Sequence, residues 1–119
     1  MPSKDPRQWL SDIIDNVDAI QNYTKGESLA GYLANRMLRD AVERCLERVT
    51  EAARRLGKTM DARYPDVEWP RLRAFGNVLR HEYEGIMDDV IWKMVRKRLT
   101  PLRQACQEEL ERLDAEMSE

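Results

Sequence analysis

The chain has 119 residues, of which 42% are hydrophobic and 35% charged, with a net charge of −2. It is too apolar for a disordered chain, and its length suits a single domain over residues 1–119 that needs no disulfide or metal staple. Nothing in it approaches the roughly 18 consecutive apolar residues of a membrane span, and no basic-then-apolar leader opens it. A cytoplasmic protein without a membrane partner is therefore expected.

The first predicted element opens at Asp5-Pro6, a capping residue followed by proline at the first helical position. Trp9, Leu10, Ile13, Ile14, Val17 and Ile20 then recur at helical steps, giving one apolar face of a helix that runs to about Tyr23. Residues 24–28 form a turn with Ser28 as the next cap. A long second helix is expected from Leu29 to Leu56, because Leu38, Val42, Cys45, Val49, Ala52 and Leu56 alternate steps of four and three. Gly57 should end it, with a distorted continuation toward Met60. The two prolines of residues 64–70 make that stretch a connector.

A third helix begins near Pro70, turns Leu72, Phe75, Val78 and Leu79 inward, and ends at Arg80 or His81. A bend at Gly85 leads to a fourth helix with Met87, Val90, Ile91 and Met94 as its core face. Thr100-Pro101 repeats the cap-then-proline signature and opens a fifth, carrying Leu102, Ala105, Cys106, Leu110, Leu113 and Met117. No run alternates with a period of two, so the fold class is all-α, an up-and-down bundle of four to five helices. Cys45 and Cys106 fall in apolar stripes and read as buried free thiols. The three tryptophans read as core or interface anchors.

Charge is laid out unevenly. Residues 70–103 hold eight basic and four acidic side chains, whereas residues 104–119 hold six acidic and one basic. The local excess of positive charge points to an anionic partner, and Lys93, Arg96 and Lys97 are candidate contacts to RNA phosphates. Asp88-Asp89 has no third ligand in sight and diverges around a helix, so neither a metal nor another cofactor is expected.

The single histidine, His81, lies in the most informative segment. Arg73, Asn77 and Arg80 sit at i, i+4 and i+7 and share a helix face, and His81 follows at its end with Tyr83 two residues on. An imidazole that moves a proton at physiological pH, beside guanidinium groups that hold phosphate, supplies the parts for phosphodiester cleavage without a metal.

The segments Tyr64-Pro-Asp-Val-Glu-Trp-Pro70, Phe75-Gly-Asn-Val-Leu-Arg-His-Glu-Tyr83, Ile91-Trp92 and Leu99-Thr-Pro-Leu102 resemble the HepT-like group of HEPN domain proteins. Asp40-Ala-Val-Glu-Arg44 and Val49-Thr-Glu-Ala-Ala53 extend the resemblance over nearly the whole chain. It implies an all-helical ribonuclease toxin, acting as a homodimer with its site where the protomers meet. The implied partner is a minimal nucleotidyltransferase antitoxin that transfers AMP to the motif tyrosine, here Tyr83. In the family motif four to six residues intervene between an arginine and the histidine. His81, Tyr83 and Asn77 match, but Gly76 occupies the arginine position. Arg73 or Arg80 would then supply the phosphate cation, with Asn77 orienting and His81 moving the proton. Glu51 matches a recurrent family glutamate, either an orienting group or one more surface charge. The glycine leaves a second reading open: a HEPN module that binds RNA, a nucleotide or a nucleotidyltransferase without cleaving. Gly76→Arg would raise cleavage if a missing cation is all that the chain lacks.

Overall fold

A computed structural model describes residues 5–81 and 88–118. Helix α1 (Pro6–Thr24) starts where the Asp5 carboxylate accepts from the Arg7 backbone N–H at 3.0 Å, with proline at the first position. Its apolar face, Leu10, Ile13, Ile14, Val17 and Ile20, is buried as the periodicity requires.

The long second helix expected from the sequence is two helices. Ser28 caps α2 (Leu29–Ala34), and Asn35 then closes α2 and opens α3 (Arg36–Leu56). The Asn35 backbone N–H bonds the Tyr32 carbonyl at 3.2 Å, while its side-chain oxygen accepts from Leu38 N–H at 3.0 Å. A short polar side chain that satisfies free backbone donors favours such a break over continued helix. The expected seam of α3 is buried apart from Leu38, which is half-buried and packed against the core. Gly57 ends the helix at φ 66°, a left-handed conformation that costs glycine little.

Beyond Gly57 lie a separate short helix, α4 (Thr59–Arg63), a 3-10 turn (Pro65–Val67) and α5 (Trp69–His81). The connector is anchored by Trp69, which is fully buried and donates its indole N–H to the Tyr64 carbonyl at 3.1 Å. The expected bend at Gly85 and the inward Met87 lie outside the described residues. Helix α6 (Asp88–Lys97) buries Ile91, Trp92, Met94 and Val95, but Val90, expected inward, is exposed.

Helix α7 (Leu99–Met117) begins one residue before the expected Thr100 cap. Thr100 lies in its first turn and accepts from Gln21 at 3.1 Å instead of capping. Pro101 is accommodated because first-turn N–H groups have no helical acceptor. Met117 is exposed at the far end.

Helix α1 packs between α3 and α7, α5 lies against α3, and α6 joins α2 and α7. The described residues thus form an all-α bundle, as the sequence predicts. None of their helices is long and apolar enough to cross a membrane. Both cysteines are buried free thiols. Burial raises the Cys45 thiol above its ordinary value and pushes Cys106 up to about 12.

Glu109, on α7, is the one charged group among the described core residues, only 3% exposed. Arg63 approaches its carboxylate at 2.5 Å, Arg112 donates two bonds at 2.7 and 3.0 Å, and the Tyr64 hydroxyl donates at 3.1 Å. These donors, Arg112 foremost, hold its carboxyl below the usual range.

Candidate functional site

Helix α5 turns Leu72, Phe75, Gly76 and Leu79 into the bundle, which leaves Arg73, Asn77 and Arg80 on its outer flank. Gly76 sets how closely α5 approaches α3. A Cβ built there would lie 2.8 Å from the Thr50 Cβ and 2.9 Å from its hydroxyl. The position that the resemblance associates with arginine is therefore a helix–helix contact in this chain.

The two candidate arginines are placed differently. Arg73 donates to the Gly57 carbonyl at 3.0 Å and grips the Asp61 carboxylate with bonds of 3.0 and 2.8 Å. Those bonds hold the Asp61 carboxyl below its ordinary value and tie α5 to the end of α3 and to α4. Arg80 is exposed, and its guanidinium donates to the Asn77 side-chain oxygen at 2.6 Å. It forms no ion pair among the described residues. His81, the last residue of α5, is also exposed. Asn77 steadies Arg80 without neutralising it, so that guanidinium keeps its charge for an incoming anion. Tyr83 lies outside the described residues.

Arg80 closes one side of a surface groove of about 610 Å³ between α1 and α3. Trp9, Asp12 and Asn16 line it from α1, and Arg44, Arg48 and Arg55 from α3. A second hollow of about 430 Å³ shares Arg44, Glu47 and Arg80 with the first and extends it to Asp40 and Glu43. There burial, with the charges of Asp88 and Asp40, raises the Glu43 carboxyl above its ordinary value.

Most of the groove charges are internally compensated. Arg44 pairs with Glu47 at 3.1 Å, and Glu51 holds Arg54 at 2.7 Å and Arg55 at 3.2 Å. Glu51, matched to the family glutamate, is thus engaged with arginines of its own helix. Arg48 is exposed and forms no ion pair among the described residues, like Arg80. The groove therefore offers two uncommitted guanidiniums, one on α3 and one on α5.

The expected phosphate contacts on α6 stand apart from this groove. Arg96 stacks on the Trp92 ring, 4.3 Å from its centroid, and donates to the Thr24 and Glu27 carbonyls. It fastens α6 to the end of α1. Lys93 and Lys97 are exposed and line neither hollow. Sequence reasoning missed Arg48 and the groove, although a signal was present: Arg44, Arg48 and Arg55 recur at steps of four and seven on one helix face.

An all-helical bundle that sets a guanidinium without an ion pair among the described residues on an arginine-lined groove, with an exposed imidazole at the next residue of the same helix, has the parts to receive a phosphodiester and move a proton at it. Comparison with known proteins specifies the class. The family model for ribonuclease HepT-like proteins matches residues 13–109, and the chain belongs to that family. The provisionally named RNase MJ1380 of Methanocaldococcus jannaschii is 29% identical, over 87% of this chain and 94% of its own. A second provisionally named RNase of that organism, MJ0127, is 34% identical over 80% and 78% of the two chains. A ribonuclease HepT of Thermococcus cleftensis, its name likewise provisional, is 25% identical over 82% and 88%. No solved structure gives a significant match.

Proposed function

We propose that the chain is the toxin component of a toxin–antitoxin pair, a cytoplasmic, metal-independent endoribonuclease whose working site forms where two protomers meet. The observation that carries this reading is the adjacency of Arg80, held by Asn77 and without an ion pair among the described residues, and His81, exposed as the last residue of α5. In the reaction His81 takes the proton of a ribose 2′-hydroxyl. The freed oxygen attacks phosphorus, the bond to the 5′-oxygen breaks, and the two-fold related imidazole protonates that leaving oxygen. The products are a 2′,3′-cyclic phosphate and a 5′-hydroxyl end. Arg80 compensates the charge that builds on the phosphoryl oxygens, a term whose removal lowers rates by about 10²–10³-fold. Arg73 is given a structural role, because its guanidinium is committed to Asp61. Tyr83 is the proposed AMP acceptor for a minimal nucleotidyltransferase partner.

The test is cleavage of RNA in EDTA by wild type, His81→Ala and Arg80→Ala. Wild type cleaves and leaves cyclic phosphate ends, His81→Ala is inactive, and Arg80→Ala falls by at least a hundredfold if the roles are right. Equal cleavage by wild type and His81→Ala would refute the assignment.

A second reading, a module that binds RNA, nucleotide or a partner without cleaving, is favoured by Gly76, whose contact with Thr50 leaves no room for the family arginine. Loss of all cleavage with binding retained would select it.

A further inference from the structure

We infer that the α1–α3 groove is a binding track for unpaired RNA, in which Arg48 holds a backbone phosphate and Trp9 stacks a base. The inference deepens the ribonuclease reading by naming the substrate as single-stranded, and it assigns residues outside the histidine segment.

Three observations carry it. Arg48 and Arg80 are the groove guanidiniums without a carboxylate partner among the described residues, and they come from different helices, so one extended polyanion can contact both. Trp9 is half-buried, packed against the core while it lines the same hollow. Beside it Gln8 donates to Asp12 at 2.8 Å, and Asn16 donates to the Asp12 carbonyl at 2.8 Å. That leaves the Asn16 side-chain oxygen and the second Asp12 carboxylate oxygen as acceptors near the ring. Cations that track a backbone, together with an aromatic platform in the same groove, are the recognition elements for single strands. A duplex keeps its base faces stacked inside, so Trp9 has nothing to stack on.

The experiment uses the full chain carrying His81→Ala, so that binding is read without cleavage, and a fluorescein-labelled oligouridylate, alone and annealed to oligoadenylate. Anisotropy gives affinity and its salt slope, and intrinsic fluorescence gives stacking, because Trp69 and Trp92 are buried. The single strand binds and quenches tryptophan emission, and the duplex binds at least tenfold more weakly. Adding Arg48→Gln weakens binding about tenfold and reduces the salt slope by about 0.7, one phosphate contact on a single strand. Adding Trp9→Leu weakens binding about tenfold and abolishes the quench. Lys25→Gln, which changes an exposed charge that lines neither hollow, changes nothing.

Arg48 is exposed, so its substitution keeps the test decisive even if Trp9→Leu unfolds the chain. Equal affinity for duplex, uridine monophosphate bound as tightly as the strand, or dependence on Lys93 and Lys97 in place of Arg48 would each overturn the track. Its failure is distinct from that of the nuclease reading. Cleavage by a chain otherwise wild type that keeps its KM when Arg48→Gln is introduced sinks the track alone. Arg48- and Trp9-dependent binding by a chain that never cleaves sinks the nuclease alone.

Discussion

Replacing Gly76 with alanine tests the geometry that brings α5 onto α3. The added Cβ would sit 2.8 Å from the Thr50 Cβ, well inside the ~3.5–4.0 Å at which carbons attract. Thr50 cannot swing away, because its Cβ is fixed to the α3 backbone and its hydroxyl bonds the Glu47 carbonyl at 3.1 Å. The helices must separate by most of an ångström, an overpacking strain of about 2–3 kcal/mol. Alanine's better helix propensity returns about 1 kcal/mol. The net loss of about 1–2 kcal/mol, spread over the unfolding entropy of a chain this long, lowers Tm by roughly 4–8 °C.

Gly31 supplies a control within the same fold. A Cβ there meets the Glu27 carboxylate oxygen at 2.9 Å, the mobile tip of a surface side chain that can turn aside. Gly31→Ala should therefore stabilise by about 0.5–1 kcal/mol. Thermal and urea melts of both variants, followed by circular dichroism, give the comparison. A Gly76→Ala protein as stable as wild type would refute the close contact. It would also reopen Gly76→Arg as a restoration of the family residue; the contact as described makes that substitution disruptive.

Other perturbations probe the remaining contacts. Glu109→Gln removes the buried charge that faces Arg63, Arg112 and Tyr64, for a loss of about 2 kcal/mol in urea melts. Because the folded Glu109 carboxyl lies below its ordinary value of 4.5, its contribution is present above that pH and fades as pH falls through the folded value. The wild-type and Glu109→Gln stability curves should therefore converge on acidification; parallel curves would contradict the assignment. Asn35→Ala removes the cap of α3 and should lower stability by about 1 kcal/mol, read from the urea midpoint. Arg73→Ala should destabilise by about 1–2 kcal/mol through the lost Asp61 and Gly57 bonds while any RNA cleavage persists. Cleavage abolished at unchanged stability would return Arg73 to the reacting phosphate.

The elements legible in the sequence were those whose signals are local. Asp5-Pro6 and Gly57 marked helix ends because capping and left-handed backbone are properties of one or two residues. Asn35 was hidden because Leu29 and Leu33 keep helical spacing ahead of the break, so periodicity ran on while the axis did not. Thr100-Pro101 misled by two residues because proline suits any first-turn position, not only the first. In the site, the shared face of Arg73, Asn77 and Arg80 followed from spacing alone. Which arginine stayed free did not, since the partner of Arg73 is Asp61, on a separate helix beyond Gly57. Arg48 and Trp9 come together only through the packing of α1 on α3, which no single helix records.

The two cysteines carry a practical consequence. Burial keeps both thiols in the neutral, unreactive form at physiological pH, Cys106 most strongly. A maleimide or disulfide reagent can couple to them only when the bundle opens, Cys45 reporting on α3 and Cys106 on α7. The native sequence thus contains its own pair of alkylation clocks, and their relative rates would separate fraying of one helix from cooperative unfolding of the whole without any engineered label.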